Sequence, residues 1–261
     1  MRAAQNTSNA RRLEAEFREI GRALSHRASL EPEPRYRPLR VEFHLAAPVA
    51  VSHPFIFLDS LLGHCLLLEY LGEGFYDIWS VKTSLGPYMQ LEKFPVFCYA
   101  GLNFASVGIW QPESVRARTI MLVKRFEERF APGKGRVHRG SGFFRDYAMR
   151  RVYIPAHSVV FYVRGDRAWI ERLLQHVPGL GDDVRIGFGT IRDISITELE
   201  QDKSLVDGDL AMRPIPVDML EDYEETIVMA WKPPYWDAAN VALCCAPFTR
   251  VHVREDIRRF L

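Results

Sequence analysis

Residues 157–200 read HSVVFYVRGDRAWIERLLQHVPGLGDDVRIGFGTIRDISITELE, and this stretch decides the fold. Its opening, 157–165, is rich in β-branched and aromatic residues, the composition of a buried strand. Asp166 then offers a carboxylate to cap the helix RAWIERLLQHV, in which Trp169, Ile170, Leu173, Leu174 and Val177 share one face. The PGLGDD run breaks that helix. Ile191, Ile194 and Ile196, with Thr190 and Thr197, predict a second strand from about 189 to 199.

The same order occurs upstream. LRVEFHL alternates and predicts a strand over 39–45, and Pro48 and Pro54 bracket a loop. FLDSLLGHCLLLEYLG carries leucines at 58, 61, 62, 66, 67, 68 and 71 and predicts an apolar helix over 57–71, stopped by Gly72. GFYDIWSV, LEKFPVFCYA and NFASVGIW follow as strand candidates. VRARTIMLVKRFEERF (115–130) mixes apolar and basic residues and fits either a long strand or a helix. The sum is strand, helix, strand, an inserted segment, then strand, helix, strand. That is the α+β, ferredoxin-like split βαβ order. It shares the layers of an RNA-recognition module, with helices on one face of an antiparallel sheet and the other face free.

Both ends differ from this body. In residues 9–24, Leu13, Phe17, Ile20 and Leu24 form one helical stripe, and SLEPEPRYRP behind it is too proline-rich for helix. Residues 1–37 therefore read as a helical extension on a stiff tether, which either docks a partner or folds back on its own domain. Residues 38–200 form the ferredoxin-like domain, with a basic insertion at about 94–151. Residues 201–261 carry WKPPYW, prolines 214 and 216 and CCAPF, and read as an acidic, irregular region with buried aromatics that packs on the domain.

Composition sets bounds on function. The 261 residues hold 34 Lys+Arg against 33 Asp+Glu, so any affinity for a polyanion has to be local. Cys65, Cys98, Cys244 and Cys245 show no zinc spacing and read as small buried hydrophobes in a reducing compartment. MRAAQNTSNARR lacks the apolar core of a signal peptide, and the most apolar stretch is interrupted by Asp59, His64 and Glu69. The expectation is a cytoplasmic protein with no membrane span, no metal and no cofactor.

The charges are segregated. Lys134, Arg136, Arg139, Arg145, Arg150 and Arg151 face only Asp146 within residues 134–151, a net +5, with His138 among them. Gly133 just before it and Gly135, Gly140 and Gly142 within it loosen this segment, and Phe143, Phe144 and Tyr147 interleave it. Cations neutralise phosphates and exposed rings stack on unpaired bases, so the pattern fits single-stranded nucleic acid. A solvated basic loop with Phe143 and Phe144 in the core has the same composition. From Asp193 to Glu225, eleven acids face Lys203 and Arg213, a net −9, which is either a solvated loop or a surface for a basic partner subunit. Between helix and last strand, Gly187 and Gly189 bracket Phe188, where backbone could approach a polyanion and present N–H groups. Neither a dinucleotide fingerprint nor a P-loop is present. G-x-S-x-G, H-E-x-x-H and a carboxylate pair are also missing. His138, Tyr147 and His44 are the candidates for acid–base work on RNA if the chain is a metal-independent endoribonuclease.

Three pieces, in order, resemble one family. FLDSLLGHCLL is similar to the Leu-Asp-x-Leu-Leu helix of RAMP proteins in CRISPR effectors, VVFYVRGDRAWIERLL followed by RIGFGTIRDISI resembles their strand-to-helix corner and glycine loop, and PPYWDAANVALCCAPF looks like the end of the type IV version. The match is to the Cas five-type RAMP subunit of type IV effectors, the third Csf subunit. The resemblance implies an RNA-recognition-type fold with a long inserted thumb and a non-catalytic role. It implies a grip on the 5′ handle of crRNA at one end of a filament of backbone subunits, beside the large subunit and only indirectly near target DNA. It assigns the glycine loop to Gly187, Phe188 and Gly189. On this reading Lys134, Arg136, His138, Arg139, Arg145, Arg150 and Arg151 contact phosphates, and Phe143, Phe144 or Tyr147 stack. The helix at 9–24 departs from the family pattern.

Overall fold

A computed structural model describes residues 2–77, 91–125, 140 and 145–261, with side chains from residue 14 onward. The central sheet contains β1 (Tyr36–Leu45), β5 (Ile109–Gln111), β8 (Ser158–Asp166) and β9 (Ile191–Glu198) in the order β5-β8-β1-β9, and every neighbouring pair is antiparallel. Numbered along the domain, that is 2-3-1-4, the ferredoxin-like arrangement. α2 (Leu58–Leu71) follows the first of these strands and α4 (Arg167–Leu174) the third. The short helix α3 (Gly74–Asp77) comes after α2, where a strand is predicted from residue 74. The rest of that predicted strand lies outside the described residues.

Alternation explains the layer. Leu39, Val41, Phe43 and Leu45 of β1 are buried, as are Val159, Phe161 and Val163 of β8. They pack with Leu58, Leu62, Cys65 and Leu66 of α2 and with Ile170, Leu173 and Leu174 of α4 in one core. Phe43 and Phe161 meet edge to face at 5.6 Å. Burying each such side chain stabilises the fold by roughly 1.5–3 kcal/mol. Asp166 caps α4 as predicted, accepting the Trp169 N–H at 3.0 Å. Gly72 ends α2 at φ 55.

α1 (Arg2–Ser29) runs longer than the 9–24 expected from periodicity. It folds back on its own domain. Leu24 and Ala28 are fully buried in the main core, and Phe17 and Ile20 pack against it. Arg172 of α4 fixes the end of this helix by ion pairs to Glu31 at 2.6 Å and to Glu69 of α2 at 3.2 Å. No helix among the described residues is long and apolar enough to cross a membrane.

The insertion between the second and third sheet strands contains β6 (Arg118–Lys124), which settles 118–124 as strand, and β7 (Tyr147–Ile154). They pair from Arg118–Tyr153 to Lys124–Tyr147 as an antiparallel arm. Of the upstream candidates, LEKFPVFCYA reduces to the two-residue β3 (Cys98–Tyr99), paired with β4 (Leu102–Asn103), whereas the end of NFASVGIW enters the central sheet as β5.

The C-terminal region, irregular by composition, forms three short ribbons: β10 (Val206–Asp207) with β11 (Leu210–Ala211), β12 (Leu220–Tyr223) with β15 (Val251–Val253), and β13 (Thr226–Ala230) with β14 (Val241–Cys245). A last helix, α5 (Glu255–Arg258), closes a second core of Phe104, Leu205, Ile215, Cys245 and Ile257. Not all aromatics here are buried, since Trp236 and Phe248 are exposed. Cys65, Cys244 and Cys245 are buried as expected, whereas Cys98 is exposed.

One buried ionic cluster joins the two cores. Asp59 of α2 accepts from Asn103 at 2.9 Å, from the Tyr235 hydroxyl at 2.9 Å, and from both Arg213 terminal nitrogens at 3.4 Å. Arg213 also donates to the carbonyls of Ala105 and Trp231 and to Tyr235 Oη. Burial opposes charge on Arg213, but Tyr235 and Asp59 outweigh it and raise its pKa. Burial is also the main force that raises the Tyr235 phenol. The aspartate of the Leu-Asp-x-Leu-Leu helix is thus a structural anchor.

Candidate nucleic-acid interface

The insertion and the glycine loop meet. Strand β2 (Val49–Ala50) sits between them, paired with Ile154 and Tyr153 of β7 and bridged at Ala50 to Asp182 of the loop. Arg151 Nε lies 2.5 Å from Asp183 Oδ2, and the Tyr153 and Phe188 rings approach at 6.2 Å between centroids. The root of the arm and the loop therefore form one surface.

Register sorts the arm into two faces. Arg118/Tyr153, Ile120/Arg151, Leu122/Met149 and Lys124/Tyr147 are opposite pairs, so all eight side chains lie on the face that touches the glycine loop. This face combines cations with two phenol rings, and Lys124 Nζ lies 5.9 Å from the Tyr147 ring centre. Thr119/Val152, Met121/Arg150 and Val123/Ala148 make the other face.

The glycine loop is built differently from expectation. The Gly187 N–H donates to Val184 at 3.0 Å and the Gly189 N–H to Pro48 at 2.7 Å, so neither is available to a phosphate. Their freedom serves the turn instead. Gly189 has φ 61, and a Cβ there would fall 1.8 Å from the Leu180 carbonyl oxygen. Gly187 has φ 98 with nothing within 4 Å of a Cβ. The turn exposes Arg185 and Ile186 and half-buries Phe188.

The predicted residues are distributed unevenly. Lys134, Arg136, His138, Arg139, Phe143 and Phe144 lie outside the described residues. Arg145, Tyr147 and Arg150 are exposed at or beside β7. Arg151 is only partly available, because Asp183 holds one edge of its guanidinium. Sequence reading missed Arg118, Lys124, Tyr153 and Arg185. The two-residue alternation of β6 would have placed Arg118 and Lys124 on one face had the segment been read as strand.

His44 stands elsewhere, on the sheet face away from the helices, 3.4 Å from Ser195 Oγ and 3.9 Å from Glu42. Burial pushes the Glu42 carboxyl up, but hydrogen bonds from Arg40 at 2.7 Å and Ser158 at 2.6 Å prevail and hold it below the ordinary carboxylate value. His44 and Tyr147 belong to different sheets. Among the described residues no group of three His, Cys, Asp or Glu side chains could hold a metal ion.

Fold and surface define a ferredoxin-like protein with a cationic inserted arm. Residues 103–247, just over half of the chain, match the model of the family described as CRISPR type IV associated protein Csf3, and the chain belongs to that family. It is therefore a CRISPR type IV associated protein. Similar solved structures include a chain of the cryo-EM structure of the Type III-B Cmr-beta bound to cognate target RNA, at 10% identity and TM-score 0.34 over 66% of this chain and 62% of that one. Cmr6 from Pyrococcus furiosus aligns at 11% identity and TM-score 0.29 over 64% of this chain and 98% of its own. The chain thus spans about three-fifths of the Cmr-beta component. No curated protein matches it.

Proposed function

We propose that this chain is a non-catalytic, guide-RNA-binding subunit that grips the 5′ handle of crRNA at one end of the backbone filament, beside the large subunit. The observation that carries this reading is the junction of arm and glycine loop. Arg118, Lys124, Tyr147 and Tyr153 share the face that the loop closes with Phe188, and Arg185 is exposed on the same loop. Cations on such a face neutralise the backbone of an unpaired strand, and its rings stack on splayed bases. In the sequence the strongly basic segment 134–145 lies between the two strands that build this face. Membership of a CRISPR assembly supplies an RNA of that kind.

The test is binding of a fluorescent handle RNA across a salt series. Arg139→Ala with Arg145→Ala weakens binding and flattens the salt slope by roughly 0.7 per lost phosphate contact. Unchanged affinity and slope would overturn the reading. Incubation with repeat RNA in the absence of metal tests for nuclease activity. Specific cleavage abolished by His138→Ala would make the chain an endoribonuclease. Purification free of nucleic acid, judged by the 260/280 nm ratio, together with no affinity for added handle RNA, would leave a protein-interaction module.

A further inference from the structure

We infer that the outer edge of β13 is a docking site for an extended segment of a basic protein partner, which adds a strand to the β13–β14 ribbon. The ribbon is short, ordered and incompletely covered. Its pairs run from Thr226–Cys245 through Val228–Leu243 to Ala230–Val241. Just outside it, Ala246 donates to Glu225 and Trp231 to Asn240. These bonds put the hydrogen-bonded pairs at odd-numbered positions of β13, because such pairs alternate along an antiparallel ladder. The N–H and C=O groups of Thr226 and Val228 therefore point to the outer edge.

The opposite edge, on β14, is occupied. Cys245 donates to the Ile215 carbonyl at 2.9 Å, and Pro216 bridges Cys244. Among the described residues no strand pairs with the outer edge of β13. An open edge with apolar side chains is a template for another chain, and monomers usually blunt it with Lys or Pro. TIVMA contains neither.

The side chains along this edge are also uncovered. Val228 is 69% exposed, and Leu243 and Val241 are each 45% exposed on the same face. Charge selects the occupant. Glu224 and Glu225 lead directly into β13, preceded by Asp222, and all three are exposed. Among the described residues none of the three is in an ion pair. A strand bearing Lys or Arg beside apolar residues would pair with the edge, cover Val228 and Leu243, and neutralise these carboxylates. The acidic flank disfavours RNA, so this surface is separate from the arm. The inference does not depend on what the arm binds, only on the chain's place in a multi-subunit assembly.

Val228→Pro removes only an outward-facing N–H and spares the β13–β14 ladder. Glu224→Lys with Glu225→Lys reverses the flank. Each variant full-length chain is co-expressed with the other protein subunits of its own type IV assembly. The assembly is nuclease-treated, and retention of the chain is measured. The expected result is a loss of roughly tenfold or more in apparent affinity for Val228→Pro. The charge-reversed pair is expected to show a smaller loss and a flatter salt dependence. Handle-RNA affinity of the isolated chain stays unchanged in both, so failure of the RNA reading and failure of this one are distinguishable. If Val228→Pro alters thermal unfolding, Val228→Lys replaces it. Retention equal to wild type in the proline (or lysine) and charge-reversed chains overturns the inference. So does loss of RNA binding in its place, or a wild-type dimer in light scattering that the variants turn into monomer.

Discussion

Two antiparallel ribbons leave the body of this protein, and they differ in charge and in attachment. The β6–β7 arm carries Arg118, Lys124, Arg150 and Arg151 with two tyrosines, whereas β13–β14 presents Val228, Val241 and Leu243 behind a run of carboxylates. The arm is seated by surface contacts, the half-exposed Arg151–Asp183 pair and the packing of β2 between arm and loop. The second ribbon is tied in through Arg213 and Tyr235, which bind Asp59 in the interior. An isolated two-stranded ribbon is marginal in water, so each needs its seat. The comparison teaches that near-zero net charge here reflects two surfaces of opposite charge, the cationic one proposed for a polyanion and the acidic one proposed for a basic protein.

The largest effect that would separate the two ribbons is expected from Arg213→Leu. It strands the Asp59 carboxylate in the core, and breaking a buried pair of this kind costs about 3–5 kcal/mol. Urea unfolding measures the loss, and hydrogen exchange should show β13–β14 opening while β6–β7 keeps its protection. Equal loosening of both ribbons would break the distinction.

The glycine loop supplies the next effect. Gly189→Ala puts a methyl group on the Leu180 carbonyl and should cost more than Gly187→Ala, which meets open space and bears only the positive-φ strain of about 1–2 kcal/mol. Thermal unfolding of the two variants gives the order directly. Loss of handle-RNA affinity in Gly189→Ala at temperatures where it stays folded would show that the seat of the arm governs binding.

Arg118→Ala with Lys124→Ala sharpens the contrast in function. Handle-RNA affinity should fall and its salt slope flatten by roughly 0.7 per lost phosphate contact, with assembly through β13 unchanged. The smallest effect belongs to Asp183→Asn. Its pair with Arg151 is partly exposed, so the stability change should stay within about 0–1 kcal/mol by chemical denaturation. Freeing Arg151 should leave RNA affinity equal or slightly higher.

Much of the central domain was legible because its periodicities are local. Alternation in LRVEFHL, the stripe in RAWIERLL, the capping Asp166 and the stop at Gly72 each act within a few residues, and the β-α-β-β-α-β order follows from them. Other features were not legible. Within the undecided 115–130 stretch, residues 118–124 became strand because Tyr147–Ile154, more than twenty residues away, supplies their hydrogen bonds. The predicted strand at 74 became a helical turn, 74–77, beside α2. Gly187 and Gly189 carry the same spacing whether their N–H groups face a ligand or their own chain, and only the positions of Pro48 and Val184 decide.

By itself the sequence determined the identity of the core layers, the segregation of charge and the site of the glycine turn, since these depend on side-chain type and short-range spacing. Tertiary structure alone decided that Asp59 meets Arg213 across 154 positions, that Arg151 reaches Asp183, and that no strand among the described residues pairs with the outer edge of β13. The reason is geometric. A buried charge, a seat or an uncovered edge is defined by what the rest of the chain brings next to it, and no local pattern records that neighbour.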